Sequence, residues 1–409
     1  MTTILSDIGL NQTATGRQTA TIAEPSLACS GQRMFVTGNW FASRSTSAGA
    51  RWKFVDPYTE LPPAGAGFCC DQLVHYSKQW RLWIWLLQFA KTATGNRIRV
   101  AVSSTGAPGS WTFWDTTPQD IDPDWRNVWL DYPDMLETAG NLVLSFNLFS
   151  TTTDRWQRAV VLRFPMATLK QRGELTRQAW STDEFGSLRF AKGPGSAPGN
   201  IAYFASLSYS APQIEVFQWP DSKTSVTQSS IAVSDWDDRN YVSSLPDGST
   251  WLNRLDDRIT GAWHTDDSIG FAWTAGADAS HPHPFIRVAR INQRSMKLMD
   301  EPDLWSKDRA WAYPAMSPNQ RGDVGVTAFC GGGGRFPTHA VGHLEENTGT
   351  WEMALGQAST HGPANGAWGD YVDIRPDPSR ITYWLASGFV LQGGSSRNHI
   401  VPRVVLFKP

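Results

Sequence analysis

Trp129-Leu130-Asp131-Tyr132-Pro133-Asp134 leads through a Gly-Asn turn into the strand-like run Leu142-Val143-Leu144-Ser145-Phe146-Asn147. The phrase returns as Trp368-Gly369-Asp370-Tyr371-Val372-Asp373, followed by the turn Asp377-Pro378-Ser379 and the run Ile381-Thr382-Tyr383-Trp384-Leu385-Ala386. Weaker copies fall before and between these two. Self-similarity at a long period marks a repeat architecture, in which each unit buries its faces against its neighbours.

Working outward, each copy reads as an inner strand, a turn, an apolar second strand and a third strand that leads into variable sequence. Second strands are expected at 34–37, 82–87, 142–147, 201–207, 269–274, 324–329 and 381–386. Inner strands are expected to begin near Glu24, Cys70, Asp131, Ser187, Arg258, Tyr313 and Asp370, about 46 to 71 residues apart, the size of a four-stranded blade with long loops. The expectation is an all-β, single-domain propeller over 23–409 with seven four-stranded blades. The last unit lacks an outer strand. Residues 1–22 are expected to supply it, through Gln18-Thr19-Ala20-Thr21-Ile22, so that both chain ends share one blade and close the ring.

Composition agrees. The 409 residues include 21 Trp, 19 Phe, 35 Gly and 25 Pro, and only 18% are charged. Aromatic residues suit pleated, half-buried surfaces, and Gly and Pro punctuate turns. Net charge is −2 without a basic tract, which argues against a nucleic-acid partner. No run of 18 apolar residues is present to span a membrane. The start Met1-Thr2-Thr3-Ile4-Leu5-Ser6-Asp7 has no basic, then apolar, leader pattern. As it stands the chain reads as cytoplasmic; removal of a leader would make it extracytoplasmic.

The turn Ser45-Thr46-Ser47-Ala48-Gly49-Ala50-Arg51-Trp52 resembles the Asp-box of sialidase-type propellers, with Ser47 in the Asp position, and looser versions end at Trp111 and Trp351. Together with Asn39-Trp40-Phe41, the Cys69-Cys70-Asp71-Gln72 run and the two Asp-Tyr phrases, the chain from about residue 23 is similar to a bacterial branch of sialidase-like propellers without an assigned activity. The resemblance implies the fold and says little about chemistry. Sialidases carry an early Arg-Ile-Pro segment, an arginine triad and a Tyr–Glu nucleophile pair. Here Phe285-Ile286-Arg287-Val288 comes too late and lacks the proline, so no sialidase catalytic residue is transferred.

In a propeller the starts of the inner strands converge on one mouth of a central channel, a concave place that ligands favour. The converging set comprises Asp71, Gln72, Asp131, Tyr132, Asp134 and Arg189, together with Arg258, Tyr313, Trp368, Asp370 and Tyr371. Aromatic faces and carboxylates suit a sugar's ring and hydroxyls, and two acids suit general acid–base catalysis. The plainer alternative is that the repeated Asp and Tyr satisfy backbone groups at blade junctions.

Cys69-Cys70-Asp71-Gln72 breaks the phrase. Adjacent Cα atoms lie about 3.8 Å apart, short of the usual disulfide range of about 4.4–6.8 Å. The pair is either a strained vicinal disulfide at the mouth or two reduced, half-buried thiols. No cofactor is expected, and calcium at the acidic runs 120–124 or 235–238 is the alternative. His281-Pro282-His283 is an incomplete ligand set, and the acidic runs near Asp122 and Asp237 lack the glycine and glutamate of a calcium loop. Three functions follow: glycan or small-molecule recognition at the mouth, a carbohydrate-active lyase or hydrolase there, or a protein-binding scaffold with an inert channel.

Overall fold

The computed structural model describes residues 1–194 and 199–409. Seven four-stranded antiparallel sheets form the blades of a propeller. The inner strands, in order, are Ser26–Ser30, Phe68–Ser77, Val128–Glu137, Arg189–Phe190, Ile259–His264, Ala310–Pro318 and Asp373–Pro376. Helix is confined to short pieces such as Pro118–Ile121 and Met166–Gln171. Among the described residues no helix is long and apolar enough to cross a membrane.

Each second strand is packed by other blades on both faces, which is why it reads as an unbroken apolar run rather than an alternating one. Leu82–Phe89 is buried at every position. Leu86 of blade 2 meets Leu130, Leu144 and Phe146 of blade 3 in one continuous core. The Ser45–Trp52 turn links the third and outer strands of blade 1, and Ser47 Oγ accepts the N–H of Arg51 at 3.0 Å.

The ring closes through both chain ends, but not through the segment expected from the sequence. The outer strand of blade 7 is Thr3–Gly9, paired antiparallel with Ile400–Lys408, and Arg403 Nε meets Asp7 Oδ1 at 2.7 Å. Residues 18–22 are irregular and run over the channel mouth, where Thr19 Oγ1 donates to the Arg397 carbonyl and the Ile22 carbonyl accepts from Asn39. Residues 19–22 alternate polar and apolar side chains, whereas Thr3–Gly9 reads Thr-Ile-Leu-Ser-Asp-Ile-Gly with a register shift between Ile4 and Ser6, so pattern favoured the wrong segment. The second strand of blade 7 also begins later than expected, at Trp384 rather than Ile381. The Asp377 carboxylate accepts the N–H groups of Ser379 and Arg380 and holds the turn open for three further residues.

The repeated phrase laces the blades. Asp134 Oδ2 accepts the Phe190 N–H of blade 4 at 2.9 Å, and Asp373 Oδ2 accepts the Leu27 N–H of blade 1 at 3.0 Å. Each therefore reaches from one blade to the inner strand of the next. Each also holds a cation: Arg189 lies 3.1 Å from Asp134, and Arg375 and Lys192 lie 3.1 and 3.2 Å from Asp373. Removing one partner of a buried ion pair strands the other and costs about 3–5 kcal/mol. Asp134→Ala is expected to lose that much in urea unfolding, whereas Asp131→Ala, which strands the Gln88 amide rather than a cation, should lose less, about 1–2 kcal/mol. Equal losses from the two substitutions would contradict this division.

Candidate functional site

The inner strands do not enter the channel straight. In blade 3 the register passes from Asp131↔Asn147 to Asp134↔Ser145, so Tyr132 and Pro133 share one partner position. In blade 6 it passes from Ala312↔Phe329 to Ala315↔Thr327, so Tyr313 and Pro314 do the same. Such bulges re-aim side chains, and proline suits the unpaired position because it has no N–H to leave unbonded. Tyr132 and Tyr313 take positive φ of 53° and 57° to make the bend. In blade 2 the bulge is longer: Cys69, Cys70 and Asp71 together oppose Gln88, between the pairs Phe68↔Phe89 and Gln72↔Leu87.

These bends surround a cavity of about 830 Å³ at one end of the channel, within the range of small-molecule sites. Trp40, Trp129, Trp156 and Tyr209 contribute aromatic walls. Glu24, Asp71, Asp131 and Asp370 bring acids to it, with Arg254 and Arg258 beside them. At the other end of the channel, beyond the Asp134 and Asp373 ion pairs, a smaller cavity of about 90 Å³ is lined by His75, Lys192 and His264.

The acids are not equivalent. Asp370 is held below the usual carboxylate range by Arg254, whose Nε and Nη2 reach it at 2.9 and 2.7 Å, and by the nearby charge of Arg258, against the opposing effect of burial. Asp71 is pushed up to about 7, first by burial and then by the charges of Asp131 and Asp370. Glu24 rises well above its ordinary value for the same first cause, with Asp71 and Asp370 adding to it. The acids act on one another: the charges of Asp71 and Asp370 raise Glu24, and those of Asp131 and Asp370 raise Asp71, so the group resists full ionisation. Asp131 is raised by burial and accepts from Gln88 Nε2 at 2.7 Å. Burial, and then the charge of Asp71, raises the phenol of Tyr371 well above its ordinary value and keeps it neutral.

The structure separates the residues expected at the mouth into three groups. Asp71, Asp131, Tyr132, Arg258 and Asp370 line the cavity together with Cys69 and Cys70. Arg189, Tyr371 and Tyr313 lie around it or below: Arg189 Nη2 donates to the Tyr132 hydroxyl at 3.2 Å, Tyr132 and Tyr371 meet edge-to-face at 6.0 Å, and Tyr313 is buried beside Arg254. Gln72, Asp134 and Trp368 serve the scaffold. Gln72 Nε2 donates to the carbonyls of Gly38 and Phe41 while its Oε1 accepts from Trp85. Trp368 is fully buried and stacked on Phe389 at 4.7 Å, so the expectation of a ligand-facing Trp368 is corrected. The repeat puts a Trp at the same place in each phrase, yet only Trp129 of that pair opens on the cavity.

Sequence reasoning missed Glu24, Asn39 and Arg254. Glu24 was legible only as the start of a strand, and Arg254 lies in the long connection before blade 5. The acidic runs have structural work of their own: Asp120 caps a helix with Thr117, and Asp237 accepts the N–H groups of Arg239 and Asn240. His281 is turned to Asp278 and stacked on Phe285.

Cys69 and Cys70 form a disulfide, with Cα atoms 3.7 Å apart, immediately before Asp71. The ring so formed ties together two of the three bulged residues in blade 2.

No protein-family model matches the chain, and no curated protein matches it. Among solved structures, it is similar to an α-L-arabinofuranosidase of Fusarium graminearum at 10% identity and a TM-score of 0.47, covering 100% of this chain and 98% of that one. It is also similar to a sialidase of Streptococcus pneumoniae at 8% identity and 0.47, covering 92% and 81%, and to an α-L-arabinanase of Penicillium chrysogenum at 11% and 0.45, covering 99% and 98%.

Cys29 and Cys330 are buried free thiols. Unfolded without reductant, the protein should therefore expose two titratable thiols, and four after reduction. Four thiols before reduction would show that the Cys69–Cys70 bond is absent.

Proposed function

We propose that the chain binds a glycan or a similarly polyhydroxylated small molecule in the mouth cavity. The carrying observation is the pairing of aromatic walls with a floor of hydrogen-bond acceptors in a single concave site. Indole faces suit the C–H surface of a sugar ring, and carboxylates accept from its hydroxyls. Asn39, only 8% exposed, lines the cavity with an Oδ1 that has no partner. A buried acceptor left unbonded costs about 1–3 kcal/mol, which a ligand hydroxyl recovers on binding.

A second reading is cleavage of a glycosidic bond at the same place. It is favoured by one observation: burial and neighbouring charge drive Asp71 up while Arg254 holds Asp370 down. Carboxyls whose environments separate them in this way match the roles of proton donor and charged partner. Asp71 would protonate the leaving oxygen, and Asp370 or Asp131 would act as the anionic group.

Glycan-array screening followed by calorimetry tests the binding reading. Asp131→Ala and Trp129→Ala should each weaken the best ligand at least about tenfold, or 1.4 kcal/mol. If both leave every ligand's affinity unchanged, the mouth is inert and the protein is a scaffold or protein-binding subunit. If the ligand is turned over, Asp71→Asn should lower kcat by about a hundredfold or more; undiminished turnover would remove Asp71 from the reaction.

A further inference from the structure

The cavity floor has more acceptors, and more negative charge, than the protein itself satisfies. Arg254 directs two nitrogens at Asp370, and Arg258 is engaged by Asp256 through Nε at 2.7 Å. The rim cation Lys91 is paired with Asp154. Among the described residues no basic side chain forms an ion pair with Glu24, Asp71 or Asp131; the causes acting on all three begin with burial. Asn39 Nδ2 donates to Glu24 at 2.7 Å and to the Ile22 carbonyl, which leaves its Oδ1 as a further acceptor without a donor. Gln88 is in the same position, with Nε2 on Asp131 and Oε1 unbonded. The neighbouring phenols do not add charge, because burial keeps Tyr132 and Tyr371 neutral.

Each class of sugar meets this floor differently. A hydroxyl brings a donor and an acceptor and neutralises nothing. A uronate or other acidic sugar adds a like charge to a site already forced to retain a proton. An ammonium brings three donors, one positive charge and no acceptor. The walls suit it as well, since indole faces attract cations. Arg397 already lies 5.9 Å from the Trp40 ring centroid, and Lys91 lies 5.1 Å from that of Trp129.

We propose that the ligand is an amino sugar whose protonated amine seats on the floor between Asp71, Asp131 and Asn39. This rests on the glycan reading above and narrows it. On binding, the ammonium keeps its proton and the proton held by Asp71 leaves for solvent. The complex then holds the amine as a cation against ionised carboxylates. Affinity accordingly rises with pH as Asp71 loses its proton, and falls again when the free amine loses its own.

The test is calorimetry on the full chain at about pH 6, where Asp71, raised to about 7, still holds its proton and the sugar amine is protonated, in two buffers of different ionisation enthalpy. The probes are a β-1,4-linked glucosamine trimer, its N-acetylated counterpart and a galacturonate trimer. The glucosamine trimer should bind at least tenfold more tightly than the N-acetylated trimer, weaken with added salt, and show proton release as a buffer-dependent heat. Asp71→Asn should reduce the preference to twofold or less and abolish the release. The buffer dependence is read on the unaltered protein, so it stands even if the variant fails to fold. Equal or tighter binding of the N-acetylated or galacturonate trimer overturns the amino-sugar inference while leaving the glycan reading intact. Binding of the glucosamine trimer without proton release also overturns it. Failure of all three trimers to bind overturns both.

Discussion

The backbone hydrogen bonds made by Asp134 and Asp373 are the interaction on which the rest of the ring depends. Inner strands lie closest to the axis, where neighbouring blades present backbone N–H groups with no sheet partner. A carboxylate reaching from one blade to the next satisfies such a group, and in a buried setting it needs a cation of its own. Arg189, Arg375 and Lys192 supply that charge. Lys192 belongs to blade 4 and Asp373 to blade 7, so this pair also ties opposite parts of the ring across the channel. With the chain ends paired in blade 7, these contacts hold the seven inner strands facing one another.

The same phrase therefore has two outcomes three residues apart. Its second aspartate, Asp134 or Asp373, is tied to the next blade, and its first, Asp131 or Asp370, opens on the mouth. The bulge at Tyr132-Pro133 produces the difference in blade 3, by rotating the chain between the two acids. Blade 2 replaces the phrase with the disulfide-tied Cys69-Cys70 and delivers Asp71 from the end of a longer bulge. Glu24 enters from the approach to blade 1, with φ of 42°. Four acids thus arrive at one place from four blades, more than the local arginines neutralise. The result is a carboxyl at Asp71 raised to about 7 and, among the described residues, an amide oxygen of Asn39 without a donor.

Much of the fold was legible in the sequence because second strands buried on both faces leave long apolar runs, and seven of these can be counted. What escaped depended on tertiary context. Residues 19–22 alternate and Thr3–Gly9 does not, yet it is Thr3–Gly9 that pairs with Ile400–Lys408. Trp129 and Trp368 occupy the same place in the repeat, yet Phe389 covers one and the cavity exposes the other. At the site, Asp71, Asp131 and Asp370 were identifiable from repeat position and from the break in the repeat. Glu24 and Arg254 were not, since neither belongs to a recurring phrase. That Gln72 and Asp134 serve the scaffold follows from backbone partners in other strands, which no local pattern records.

The ring forces carboxyls together at one mouth without enough positive charge to ionise them all. A carboxyl raised in the folded state makes folding take up a proton, so its contribution to stability is fully present below about pH 4 and is lost as pH rises through about 7. The most direct measurement is a pH titration of the aspartate side-chain carbonyl carbons by NMR, assigned with Asp71→Asn. The account predicts one aspartate, Asp71, titrating near 7, with Asp370 below the ordinary range. If every aspartate at the mouth titrates below pH 5, the acids are independently neutralised and the account is wrong.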